Sequence, residues 1–168
     1  MAGILLALAL VSQQPSAAVI DRIMAVVGGQ PIMLSDVTAA TTFQLVDVPT
    51  GTADATQYVL GRLIRRTLVL TEVNRFQPPE PDEIEITIRI DNLERRAGSA
   101  DALQRELDVT GMTRDQLRHY IRDDLRIRTY LLERFGANRP EAELNAAVDA
   151  WVLELRKRTQ ITVLYQSR

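Results

Sequence analysis

Apolar and polar positions recur along this chain with two different periods, and each change of period marks a boundary between elements. Residues 19–27 form an apolar run rich in β-branched side chains, and residues 31–34 form a second, shorter one after Gly28-Gly29-Gln30. Two apolar runs joined by a Gly-Gly turn predict a β-hairpin, because glycine reaches positive φ without steric cost. Pro31 has no N–H, so the second strand belongs at a sheet edge. Ser35 is then the expected N-cap of a helix over 36–47, its hydroxyl accepting an orphan N–H of the first turn. Leu34, Val37, Thr41 and Leu45 recur at helical spacing there, while Phe43 and Val46 lie off that stripe.

After a loop at 49–52, residues 55–75 carry the clearest helical pattern. Val59, Leu60, Leu63, Ile64, Thr67, Leu68 and Thr71 make a wide apolar stripe, with Arg62, Arg65 and Arg66 mostly opposite. Pro78, Pro79 and Pro81 end it. Residues 82–97 carry two signals at once. Ile84, Ile86, Ile88 and Ile90 alternate as in a half-buried strand, yet Ile86, Ile90, Leu93 and Ala97 also fit one helical face. Acidic residues at the start, Arg95 and Arg96 at the end, and Gly98 as a C-cap favour the helix. Ser99 caps a short helix to Leu107, and Thr113 caps a long one to Phe135. A last helix spans 141–158, with Leu144, Ala147, Val148, Trp151, Val152 and Leu155 on one face. Residues 161–165 are β-rich, and a lone hairpin is marginal in water, so this tail is the natural third strand. The expected fold is mostly α with a small sheet, built from the N-terminal hairpin and the C-terminal strand.

Composition narrows the function. Of 168 residues, 46% are hydrophobic and 25% charged, which are ordinary values for one globular domain. The net charge of −2 argues against a protein devoted to nucleic acid or an anionic membrane. Cysteine is absent, which removes disulfide frameworks and thiolate metal sites. Residues 1–18 read as a secretory signal peptide: a short apolar run over 3–11, then Ser16-Ala17-Ala18 as small residues before Val19. No Lys or Arg precedes the apolar run. The expected mature unit is a single domain over 19–168, exported to the periplasm.

The run Ile20-Asp21-Arg22-Ile23-Met24-Ala25-Val26-Val27, the Gly28-Gly29 turn and Ile32-Met33-Leu34-Ser35-Asp36-Val37 resemble the start of the mature SurA-type periplasmic chaperones. The likeness extends through Leu63-Ile64-Arg65-Arg66-Thr67-Leu68-Val69-Leu70-Thr71-Glu72 and through Gly111-Met112-Thr113 with Leu117-Arg118. It covers essentially all of 19–168, but only the chaperone module. The parvulin prolyl-isomerase domains that such proteins carry between the helices and the closing segment have no room here. The resemblance implies a SurA N-terminal, trigger-factor-C-like helical chaperone fold. It implies an ATP-independent holdase without cofactor, whose partners are unfolded or partly folded envelope and outer-membrane proteins. Nucleic acid is not among the expected partners, and a place peripheral to the membrane is compatible with the reading. In the family, clients bind as extended chains on apolar surface beside the helices. Phe43, Val46, Tyr58, Met112 and Tyr130, all off the core stripes, are the client-binding candidates here, against the plainer reading that each packs on a neighbouring helix.

Other chemistry is thin. His119 is the only histidine, which is too few for a histidine-based metal site. Asp123-Asp124 and Asp82-Glu83-Glu85 read as solvated charge rather than an acid–base pair. Arg114, Arg118, Arg122 and Arg126 form an i,i+4 ridge that suits either an anionic partner or pairing with nearby acids, and the overall charge favours the second. No catalytic constellation is expected. A prolyl isomerase and an adaptor for one envelope partner are the competing functions.

Overall fold

The computed structural model describes residues 21–136 and 138–166. The expected signal peptide, residues 1–18, lies outside the described residues. Elements follow in the order β1 (Ile23–Val27), β2 (Gln30–Met33), α1 (Leu34–Thr42), α2 (Ala55–Phe76), α3 (Glu83–Ala97), α4 (Ala100–Thr110), α5 (Arg114–Phe135), α6 (Glu141–Arg158) and β3 (Ile161–Val163). The described residues are mostly helical, with a three-stranded antiparallel sheet in the order β2-β1-β3. The C-terminal strand does complete the hairpin.

Gly28 and Gly29 turn the hairpin at φ +56° and +85°. Two successive positive φ values match the right-handed twist of the flanking strands. Gly28 is constrained twice, since a Cβ there would sit 3.3 Å from Thr159 Cγ2, and its N–H donates to Gln160 O at 2.9 Å. Pro31 stands on the edge strand, as its missing N–H requires. A bulge between Ile23 and Ala25 breaks the alternation of β1, so Met24 and Ala25 are both fully buried. The Met24 carbonyl accepts from both Leu164 and Tyr165, at 2.9 and 3.1 Å, and ties the tail down.

Ser35 is not an N-cap. The helix begins one residue earlier, and the Asp36 carboxylate accepts from the Met33 N–H at 2.7 Å. The Ser35 hydroxyl and N–H instead donate to Asp21, fastening the start of α1 to the segment before β1. Some desolvation opposes it, but these bonds, with that of the Arg22 N–H, hold the Asp21 carboxyl below the usual range. Helix α1 also stops at Thr42, short of 47, with Gln44 at φ +50° just beyond it. The remaining caps follow the sequence. Ser99 accepts from Ala102 N, and Thr113 and Gln116 form a reciprocal capping box.

Residues 83–97 are helical. Their alternating isoleucines divide between two faces: Ile86 is fully buried, Ile90 half-buried, and Ile84 and Ile88 stay 67% and 51% exposed. A four-residue spacing on each face, offset by two, reproduces a strict alternation in sequence.

Two apolar cores result. The first joins the sheet, α2, α6 and the C-terminal part of α5 around Met24, Leu60, Leu68 and Val152. The second joins α3, α4 and the N-terminal part of α5 around Ile86, Leu103, Leu107 and Leu117. Two helices serve both. Helix α1 gives Val37 and Ala40 to the first and Ala39 to the second, and α5 gives Tyr130 to the first and Leu117, Ile121 and Leu125 to the second.

Candidate functional site

A single arginine stands where α2 meets α5. Helix periodicity places Arg66 on the less apolar side of α2, and the α5 crossing covers that side there, leaving its side chain 18% exposed. Its Nε donates to Asp124 at 2.8 Å, its Nη2 donates to the Tyr120 carbonyl at 3.0 Å and lies 3.9 Å from Asp123, and its guanidinium stacks 3.8 Å above the Tyr120 ring. Burial pushes the Tyr120 phenol up to about 12, against the pull of Arg66. Asp123 and Asp124 thus both face the half-buried Arg66, Asp123 half-buried itself and Asp124 still exposed to solvent.

Open clefts surround this junction. One, of about 310 Å³, lies between α2, α5, α6 and the segment after α1. Leu45, Val46, Val69, Ile127, Leu131 and Leu144 give it an apolar lining, and Arg62, Arg65 and Asn145 stand with them. A second, of about 350 Å³, lies between α3 and α5, with Leu93, Ile121 and Leu125 beside Arg89 and Arg96. The two clefts share Leu45 and Asp124, so they lie side by side along α5 and together make a trough with these two residues between them. Both reach the low end of the roughly 300–1,000 Å³ typical of ligand pockets.

On the other side of Arg66 a polar cavity of about 280 Å³ is lined by Asp36, Gln116, His119 and Asp123, among others. His119 is exposed, and its Nδ1 lies 2.7 Å from the carbonyl of Asp115, one turn back. Its helical partner is therefore backbone, not the Asp115 carboxylate. Among the described residues no group of three or more His, Cys, Asp or Glu side chains is placed to hold a metal ion.

The five candidate client-binding residues do not form one surface. Val46 lines the first cleft. Met112 is half-buried and lines the polar cavity. Tyr58 is half-buried near the start of α2. Phe43 is 3% exposed and belongs to the second core, and Tyr130 is 5% exposed in the first. Tyr130 also sits among rings, with Phe76 at 5.5 Å and Trp151 at 6.0 Å between centroids. These two serve as core side chains. Periodicity put Phe43 off its stripe because one stripe was drawn through to Asp47, whereas α1 packs on two cores and Phe43 is the residue that closes it.

The arginine ridge of α5 is paired, chiefly across helices. Arg114 reaches Glu94 at 2.7 Å, Arg118 and Arg122 both bind Glu83, and Arg126 lies 3.5 Å from Glu80. The acids of α5 itself play a smaller part than the sequence suggests. The sequence marks Leu45 only as a stripe position and Arg62 and Arg66 only as positions opposite a stripe, and it does not mark Ile127. Their relationship is made by the crossing of α2 and α5.

No helix among the described residues is long and apolar enough to cross a membrane. The sequence matches no protein-family model and, at a significant level, no curated protein.

Proposed function

We propose that this protein holds unfolded segments of envelope proteins reversibly and without nucleotide, as an ATP-independent periplasmic chaperone. The observation that carries this reading is the open apolar cleft between α2, α5 and α6, continued past Leu45 and Asp124 into the α3–α5 cleft. Two neighbouring clefts along one helix suit an extended chain better than a compact small molecule. The resemblance of residues 20–37, 63–72 and 111–118 to SurA-type chaperones supports the same function. The energetics fit reversible holding. Each apolar side chain seated in the cleft contributes roughly 1.5–3 kcal/mol, offset by about 0.5–1.5 kcal/mol for each side chain immobilised and by the larger cost of association. Two or three seated side chains then give weak binding and ready release, and the reading assigns no covalent step.

The test is suppression of light scattering by a denatured outer-membrane β-barrel protein, with equimolar purified protein and no nucleotide. Suppression is expected. The Val46→Glu variant, which places a charge in the cleft lining, is expected to lose it while keeping its circular dichroism and melting temperature. Failure of the wild-type protein to protect any unfolded client removes the reading. Recovery of one folded envelope partner in a pull-down would then make the protein an adaptor.

A further inference from the structure

The trough has a charge of its own. Among the described residues its two clefts are lined by five arginines (Arg62, Arg65, Arg66, Arg89 and Arg96) and one carboxylate, Asp124. The chain as a whole carries a net charge of −2, so this excess is local. Three of the arginines have carboxylate partners. Arg65 pairs with Asp149, Arg66 with Asp123 and Asp124, and Arg89 with Glu85 at 4.0 Å. Two do not. Arg62 is exposed and makes no ion pair or hydrogen bond among the described residues, and Arg96 donates only to neutral oxygens, Phe43 O at 3.2 Å and Gln44 Oε1 at 3.5 Å. One such arginine lines each cleft, Arg62 in the α2–α6 cleft and Arg96 in the α3 cleft.

An apolar lining in the α2–α6 cleft, with a guanidinium group without a carboxylate partner in each cleft, fits one chemistry. We infer that the trough selects extended polypeptide segments whose apolar side chains are flanked by aspartate or glutamate. The apolar side chains enter the clefts, and the flanking carboxylates accept charge-assisted hydrogen bonds from Arg62 and Arg96. Arginine suits this task, because its planar fork can meet a carboxylate with two parallel bonds. Segments flanked by lysine meet like charge at both clefts and are disfavoured. The inference rests on the holding function proposed above and names the segments held.

Three fluorescein-labelled peptides test it. They share one apolar centre and are flanked by Asp/Glu, by Ser/Asn or by Lys, with binding read by anisotropy. The acid-flanked peptide is expected to bind at least about fivefold tighter than the lysine-flanked one at low salt, with the gap closing in 0.5 M NaCl as exposed charges are screened. Arg62→Glu is expected to shrink or reverse the preference, and Arg62→Lys to keep its direction. Arg105→Glu makes the same charge change on the exposed face of α4, outside the trough. It is expected to keep the preference, which separates the local effect from a change in net charge. Equal binding of all three peptides overturns the inference and leaves the holding function standing. An undiminished preference in Arg62→Glu overturns the placement in this trough. Absence of binding by every peptide, together with no protection of denatured clients, overturns both readings.

Discussion

The Arg66 guanidinium lies 3.8 Å above the ring of Tyr120 and donates to the carbonyl of the same residue. One side chain of α2 thereby grips both the backbone and the side chain of α5, beside the two aspartates that follow. The contact sits between two apolar cores that α5 serves in turn, toward the first with Tyr130 and toward the second with Leu117 and Ile121. It fixes how α2 and α5 cross, and the crossing sets two walls of the first cleft.

Removing Arg66 should therefore cost far more than removing either acid. Arg66→Ala leaves Asp124 without its cation, Asp123 with Arg126 alone and the Tyr120 carbonyl without its side-chain donor, and we expect a loss of about 2–3 kcal/mol in urea unfolding. Asp124 is 47% exposed, and Asp124→Asn should cost only about 0.5–1 kcal/mol. Equal losses for the two variants would show that the junction contributes no more than a surface pair.

The pairing of Arg118 and Arg122 with Glu83 gives a second prediction, in pH. Hydrogen bonds from Arg122 and Arg118 hold the Glu83 carboxyl below its ordinary value of 4.5. A carboxyl lowered in the folded state binds protons more readily when unfolded, so its contribution is full above 4.5 and is lost as the pH falls through the lower folded value. Wild type should exceed Glu83→Gln in stability at pH 7, and the gap should close below pH 4.5. Glu83 is exposed, so 0.5 M NaCl should narrow the gap at neutral pH as well. Thermal melts of both proteins at several pH values check this, and a gap that widens in acid contradicts the pairing.

The isoleucines of α3 provide the third. Ile86→Ala opens a cavity in the second core and should cost roughly 2–5 kcal/mol. Ile84→Ala and Ile88→Ala change exposed side chains and should stay within about 0.5 kcal/mol of wild type. A strand would have buried all four isoleucines on one face and made the three losses alike.

These residues also show what a linear pattern can carry. The helical face of α3 was legible because its ends bore independent marks: acids before Ile84, arginines before Gly98, and a glycine that closes the last turn at φ +98°. The third strand was legible from the instability of a hairpin alone. Ser35 misled because serine before a helix is among the preferred caps, and only the fold brings Asp21, fourteen positions earlier, within reach of its hydroxyl. The trough was not legible. A stripe records that a residue faces apolar neighbours, not which helix supplies them, and Arg66 looks like its neighbour Arg62 until α5 crosses over it.

The central place of β1 in the sheet has a consequence for synthesis. Its partners on one side follow it within a few residues, but those on the other, Ile161–Val163, come after every helix. As the chain emerges N-terminus first, the hairpin must wait with one β1 edge open, in a form that is marginal by itself. The sheet closes only when the last strand emerges, and with it the clasp of Leu164 and Tyr165 on the Met24 carbonyl. A premature stop after α6 would leave every helix encoded and yet remove the part that lets the first strand settle.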